Sequence, residues 1–238
     1  MKVAIIGAGR LGASLHSMLQ SPCLLIGRGH PIPLADIYWL TVRDSQISSV
    51  SSQLPKGSIV IHSSGVLGLE PISHHPKRAV LHPMMTFSGP EHIPSLPIPA
   101  TYECSKEIEE TVLWLADQVG FEAHPISGDR ALYHAASVFA GNYASWLLEI
   151  GGDLLAQYNI PPEIGKKMLL PLALKSIENA SNGPLHQILT GPIARGDQST
   201  INNHKTALSS YDQETAKLYE RICSNIQQRL NNADTNDE

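Results

Sequence analysis

Cysteine is nearly absent: Cys23, Cys104 and Cys223 are the only three in 238 residues, widely spaced and without a CxxC pair. An odd, scattered set gives no disulfide framework and fits reduced thiols in a cytosolic protein. Long apolar runs are missing too. No stretch reaches the roughly 18 consecutive apolar residues that a membrane-spanning helix needs, so no membrane partner is expected. Basic residues are not in excess. The 17 Lys and Arg against 22 Asp and Glu leave a net charge of −5, which argues against a nucleic-acid surface. Met1-Lys2 leads straight into a short apolar run ending at Gly7, without the longer apolar segment and cleavage site of a signal peptide. A cytoplasmic protein is therefore expected. Eleven histidines are present, yet none stands in an HExxH or His/Cys zinc spacing, and no metal is expected.

What is present is enough for a large buried core: 42% of the residues are hydrophobic and only 16% charged. The pattern changes along the chain. Apolar runs at 3–6, 23–26, 37–42, 58–62, 78–82, 98–102 and 121–126 read as strands, and 105–119 as a helix between the last two. Strands alternating with helices imply a mostly parallel sheet. From Ser127 onward the strand signal vanishes. A long helix is expected over 129–158, with Gly141, Gly151 and Gly152 as points of close packing or breakage. Another should start at Pro161-Pro162 and run to about Ala180, followed by a short one at 185–189. Ser199 and Thr200 can cap the next helix. In the last, Leu218, Ile222, Ile226 and Leu230 make one buried stripe, and the polar tail 231–238 is expected to fray. The expected fold is α/β: an abridged N-terminal Rossmann parallel sheet over residues 1–126, then an all-α domain over 127–238.

The segment Val3-Ala-Ile-Ile-Gly7-Ala8-Gly9-Arg10-Leu11-Gly12 places GxGxxG after a strand and at a helix start. Gly7 permits the tight turn, Gly9 lets the backbone approach a pyrophosphate, and Gly12 lets helix and strand pack closely. The helix N-terminus adds free amides and partial positive charge. A dinucleotide site made by Gly7 to Gly12 follows. The second strand ends in Ile26-Gly27-Arg28, where an NAD site usually offers a carboxylate. A guanidinium there can pair with a 2′-phosphate, which favours NADP over NAD, although Arg28 also suits a solvated turn. Arg28 to Asp36 is too short for the usual crossover helix and third strand, so the adenosine side is trimmed. Val42 and Arg43 follow the third strand and should line the same crevice.

His62-Ser63-Ser64-Gly65 and His82-Pro83-Met84-Met85 follow later strands and should face that crevice as well. A hydride transfer needs a group that moves the accompanying proton, and histidine suits it. His82 is the first candidate, with Ser64 orienting substrate; a packed histidine fixing the Pro83 turn is the plainer reading. His74 and His75 beside Pro76 read as a solvated turn. In the helical half, positions 134, 137, 138, 141 and 142 share one face. His134, Ser137 and Asn142 on that face are awkward as core, because buried polar groups need partners. Facing cofactor and substrate explains them, and so does an internal hydrogen-bond network. In the loop Thr190 to Asp197, Arg195 can hold a carboxylate or phosphate and Asp197 can orient it or cap the next helix. A substrate-anchoring loop and a plain inter-helix turn fit equally.

Taken together, the GxGxxG start, Thr41-Val-Arg-Asp44, His82-Pro-Met-Met-Thr-Phe87, His134-Ala-Ala-Ser-Val-Phe-Ala-Gly-Asn142 and Leu189-Thr-Gly-Pro-Ile-Ala-Arg-Gly-Asp197 resemble a known family. It is that of the Rossmann-like NADP-dependent oxidoreductases with a C-terminal domain of unknown function. These are distant relatives of 6-phosphogluconate, hydroxyisobutyrate and prephenate dehydrogenases and of pyrroline-carboxylate reductase. The resemblance extends to about residue 230. It implies a Rossmann domain, a helical C-terminal domain and a homodimer through those helices. It also implies that His82-Pro83 stands where prephenate dehydrogenases carry their catalytic histidine, and Ser64 where a serine contacts substrate. Arg43 departs from the proline common in relatives. The expected activity is NADP-dependent oxidation or reduction of a small carboxylated hydroxy, keto or imino compound. A nucleotide-binding sensor or scaffold without turnover is the alternative, and a flavin or deazaflavin in place of nicotinamide a third.

Overall fold

Four consecutive apolar residues, Val3–Ile6, are all buried, the mark of a strand covered on both faces. This strand, β1, pairs in parallel with β2 (Cys23–Ile26) on one side and β3 (Ile37–Leu40) on the other. β4 (Ile59–His62) and β5 (Arg78–Pro83) continue the parallel run. β6 (Ile98–Cys104) turns antiparallel to β5, and β7 (Phe121–Pro125) is parallel to β6. The order is β2-β1-β3-β4-β5-β6-β7. This computed structural model describes residues 1–234. The mostly parallel sheet expected from the sequence is present. Its third strand stops at Leu40, which leaves Thr41 and Val42 beyond the strand end.

Helices α1 (Arg10–Met18), α2 (Asp44–Ser51) and α3 (Glu109–Gln118) cover the sheet. Alternation within β1 divides the core. Val3 and Ile5 join Trp39, Leu15 of α1, and Val112 and Leu115 of α3. Ala4 and Ile6 join Tyr38, Leu40 and Ile47 of α2. Burying each large side chain of this kind contributes on the order of 1.5–3 kcal/mol. Trp39 is fully buried, stands edge-on to Phe121, and donates from Nε1 to Ser63 Oγ at 2.8 Å.

Between β2 and β3 the chain returns without a helix, and β2 is left as the edge strand. The Tyr38 hydroxyl holds this link, donating to the Pro33 carbonyl and accepting from the Ala35 amide. After β7 the chain turns helical. α4 (Arg130–Val138) starts at Asp129, whose carboxylate accepts from the amides of Ala131 and Leu132. The single helix expected over 129–158 is interrupted by a wider π turn at Phe139–Tyr143 before α5 (Ala144–Ala156). Gly141 lies in that turn, where a residue without a side chain weakens the regular helix.

The chain divides into two compact units, Met1–Ser145 and Trp146–Glu238. The sheet ends where the sequence sets its boundary at 126, but the first unit continues to Ser145. The physical reason is that α4 is bonded to the sheet. Tyr133 bonds to His82 and Thr101, and Arg130 Nη2 donates to the Ser64 carbonyl.

The second unit contains most of α5 and then α6 (Pro162–Ala180), α7 (Leu185–Ile188), α8 (Gln198–Tyr211) and α9 (Gln213–Asp234). α5 and α6 approach closely at glycines: a Cβ on Gly165 would stand 3.2 Å from the Gly152 carbonyl oxygen. Asp197, not Ser199 or Thr200, caps α8, accepting from the Thr200 amide at 3.1 Å. α9 carries helix through Asp234, and residues 235–238 of the polar tail lie outside the described part. No helix among the described residues is long and apolar enough to cross a membrane.

Candidate active site

The loop after β1 is shaped by two glycines that tolerate no side chain. Gly7 has φ +119°, and a Cβ there would meet the Thr41 backbone at 2.8 Å. A Cβ on Gly12 would overlap the Gly7 carbonyl oxygen. Thr41 Oγ1 donates to that oxygen at 2.7 Å and ties the loop to the end of β3. Gly9 differs: nothing lies within 4 Å of its Cβ position. It is the N-cap of α1, no side chain caps that helix, and its first turn has no acidic residue. The amides at the helix mouth are therefore free to meet an anion. This donor set fits a dinucleotide pyrophosphate.

A cleft of about 820 Å³ extends from this loop along the ends of β1, β2 and β3. Gly7, Ala8, Gly9, Arg28, Val42 and Arg43 line it, all named by the sequence reading. Among the described residues two arginines line it and no carboxylate does. The cleft opens where β1 connects to strands on opposite sides, the place where open α/β sheets bind ligands.

Further along the strand ends lie two smaller cavities. One, of about 290 Å³, is bounded by Arg10 and Leu11 from the glycine loop, Ser63 after β4, and His82 with the residues after β5. The other, of about 550 Å³, is bounded by the same His82 segment and by the helix face carrying His134, Ser137, Val138, Gly141 and Asn142. His82, Pro83, Met85 and Thr86 belong to both walls. His82 thus stands between the glycine loop and the polar helix face.

His82 Nδ1 lies 2.7 Å from the Tyr133 hydroxyl, and the rings of His82 and His134 are 6.0 Å apart, edge to face. Burial, aided by the nearby His134 and Arg130, pushes the His82 imidazole down to about 4, so it is neutral at neutral pH. A Cβ on Gly65 would come within 2.9 Å of His82 Nε2 and would overlap the His134 ring. A side chain there would displace one or both imidazoles. Ser137 Oγ is buried without a hydrogen-bond partner, an orphan that a polar ligand would satisfy.

Other expectations move. Ser64 is buried and faces neither cavity: its hydroxyl accepts from the Leu67 amide at 3.0 Å and its carbonyl from Arg130. Its neighbour Ser63 is the serine on the cavity wall. His62 does not face the crevice either. It is fully buried, bonding through Nε2 to the Gly68 carbonyl and accepting from the Ser64 amide. His75 is buried against the Ser51 carbonyl and is not in a solvated turn. Arg195 is exposed in the second unit, with Asp197 engaged by Ser199 and Thr200 as the cap of α8. Ser63 and Gly65 are named by sequence only as part of the 62–65 segment, and Tyr133, Thr101 and Ser145 carry no role there. Among them only Ser145 carried a usable signal, one turn beyond Asn142 on the polar face. Burial raises the thiols of Cys23 and Cys104, and all three cysteines are free. Among the described residues no three His, Cys, Asp or Glu side chains are grouped to hold a metal.

A family model described as a domain of unknown function, DUF2520, matches residues 98–226. No curated protein matches the chain. Solved structures share its fold along nearly the whole length. A Bacteroides fragilis protein provisionally named an NADP oxidoreductase superposes with a TM-score of 0.80 at 22% identity, covering 96% of this chain and 98% of that one. A reductive aminase from Aspergillus terreus in complex with NADPH and ethyl levulinate gives 0.68 at 12%, covering 97% and 98%. Plasmodium falciparum pyrroline carboxylate reductase with NADP bound gives 0.59 at 14%, covering 97% and 100%. At these identities the likeness is one of fold.

Proposed function

The chain belongs to the DUF2520 family, one defined without an activity, and from that premise we propose that it is an NADP-dependent oxidoreductase. Its substrate is a small hydroxy, keto or imino compound. The observation that supports this best is continuity: an uncapped amide cradle leads along the strand ends to a cavity walled by His82. Arg28 and Arg43, in a cleft without carboxylates, favour the 2′-phosphate of NADP over the ribose hydroxyl of NAD. When bound, the dinucleotide supplies or accepts hydride at its nicotinamide, which the 290 Å³ cavity between Leu11 and His82 would receive.

The substrate side is the cavity bounded by His134, Ser137 and Asn142. Ser137 and Asn142 orient the substrate by hydrogen bonds, and His134 moves the proton that accompanies hydride. Among the described residues no lysine or arginine lines this cavity, so a carboxylate on the substrate would be met here by the hydroxyl and amide donors of Ser137 and Asn142. A homodimer through the helical unit is part of the same proposal. Leu170, Leu174 and Ile177 of α6 share one helix face and are exposed, apolar side chains that a partner would cover. Light scattering checks it, with twice the chain mass expected.

The enzymatic reading is tested by incubating the protein and NADPH with a panel of small ketones, keto acids and cyclic imines. Substrate-dependent loss of absorbance at the reduced nicotinamide band, abolished by His134→Ala, is the expected result. NADPH binding without turnover on any of these would favour the non-catalytic sensor.

A further inference from the structure

Two side chains that the proposed reaction does not account for, Tyr133 and Thr101, form one hydrogen-bonded line against His82. His82 and Thr101 face each other as a cross-strand pair of β5 and β6. Tyr133, from α4, sits over both, its hydroxyl 2.7 Å from His82 Nδ1 and 2.8 Å from Thr101 Oγ1. Where the protons lie follows from what each group lacks. Thr101 is buried, and the Tyr133 hydroxyl is the only hydrogen-bond partner of its side chain among the described residues. A buried hydroxyl proton without an acceptor is unfavourable, so Thr101 donates to Tyr133. Tyr133 has one proton of its own, and His82 Nδ1 is the acceptor left for it. The single ring proton of neutral His82 is then on Nε2, beside Gly65, where a side chain would come within 2.9 Å.

We propose that Tyr133, held by Thr101, is a positioning residue that locks His82 as an Nε2–H donor toward an unprotonated oxygen or nitrogen of the substrate. This rests on the assignment of the two smaller cavities to nicotinamide and substrate. It deepens that reading by selecting substrates whose reacting group is C=O or C=N. In such a reduction hydride adds to the carbon, the π pair moves to the oxygen or nitrogen, and one proton completes the product, with the dinucleotide left oxidised. His82 holds the atom that gains the electron pair. The line behind it carries no net proton, because it ends in Thr101, an alcohol that does not ionise near neutral pH. The proton comes from His134, which lines the same cavity and recovers it from solvent.

Two-bond 1H–15N spectra of the full chain near neutral pH test this without any turnover, with His82→Gln identifying the ring. Wild type should hold the proton on Nε2 and a bare Nδ1. In Tyr133→Phe the same ring should become a mixture of both tautomers, with NADPH affinity within about twofold of wild type. Thr101→Val should keep the wild-type tautomer, since Tyr133 retains Nδ1 as its acceptor. A wild-type ring protonated on Nδ1, an unchanged spectrum in Tyr133→Phe, or a flip in Thr101→Val overturns the proposal. If Tyr133→Phe does not fold, the wild-type ring still decides the matter, since a proton on Nδ1 overturns the proposal. Failure of NADPH to bind, with the tautomer pattern as expected, sinks the cofactor reading and leaves the assignment of the line intact.

Discussion

The carbonyl oxygen of Gly7 occupies the space that a side chain on Gly12 would need. Gly9, between them, faces open space with extended backbone angles of φ −77° and ψ −177°. The two positions should therefore fail differently. Gly12→Ala is expected to destabilise the fold by about 1–3 kcal/mol through overpacking and to abolish NADPH binding with it. Gly9→Ala should change stability by less than about 0.5 kcal/mol, yet weaken NADPH at least tenfold, about 1.4 kcal/mol, because its methyl enters the pyrophosphate path. Denaturant melts and NADPH titrations of both variants check the contrast.

On the proposed reading, Arg28 carries the preference for NADP over NAD. Arg28→Ala should cost NADPH about 1.5–3 kcal/mol of binding, the worth of a charged hydrogen bond, and cost NADH much less. Equal losses for the two dinucleotides, measured side by side, would remove Arg28 from the 2′-phosphate.

Stability should depend on pH through two buried histidines. Burial lowers His62, and burial with His134 and Arg130 lowers His82 to about 4, against about 6.5 in an unfolded chain. Between these values the unfolded chain binds protons that the folded one refuses. Stability is thus full above about pH 6.5 and falls as pH drops toward 4, with a slope of at most about 1.4 kcal/mol per pH unit for each group. Denaturation at about pH 7 and pH 5 should show the loss, and His82→Gln should reduce it. The same loss in that variant would mean His82 does not contribute.

Arg130 and Glu103 form an unequal pair. Arg130 is 7% exposed with Nε and Nη1 lacking hydrogen bonds, and Nη1 lies 3.6 Å from a Glu103 carboxylate that is 36% exposed. Removing the partly exposed carboxylate strands a buried cation, so Glu103→Ala should cost about 2–4 kcal/mol. Arg130→Met removes the orphaned donors together with the charge and should fall within about 1 kcal/mol of wild type. The reverse ranking in thermal melts would show that the guanidinium is needed for its own bonds.

How much of this was legible in the sequence depended on the range of the pattern. The β1 run and GxGxxG are local, and both lie where they were expected. The polar face from His134 to Asn142 was legible because side chains three and four apart share a helix face. Ser63 and Ser64 were confused because adjacent residues at a strand end point to opposite sides, so a shift of one exchanges wall and interior. Tyr133 and Thr101 left no trace. Their link to His82 comes from an antiparallel pairing and a helix docked over it, and no spacing encodes either. The interruption at Phe139–Tyr143 falls at Gly141, one of the three glycines expected as points of close packing or breakage, but nothing in the sequence marked it as a π turn.

On the proposed reading, the open amides at the start of α1 hold the diphosphate of NADP. Calorimetric titration of NADPH into the purified chain, with Gly9→Ala as control, tests it most directly. Saturable binding of one dinucleotide per chain, weakened tenfold or more in the variant, is the predicted result. No heat of binding at millimolar NADPH, or equal affinity in wild type and variant, would contradict it.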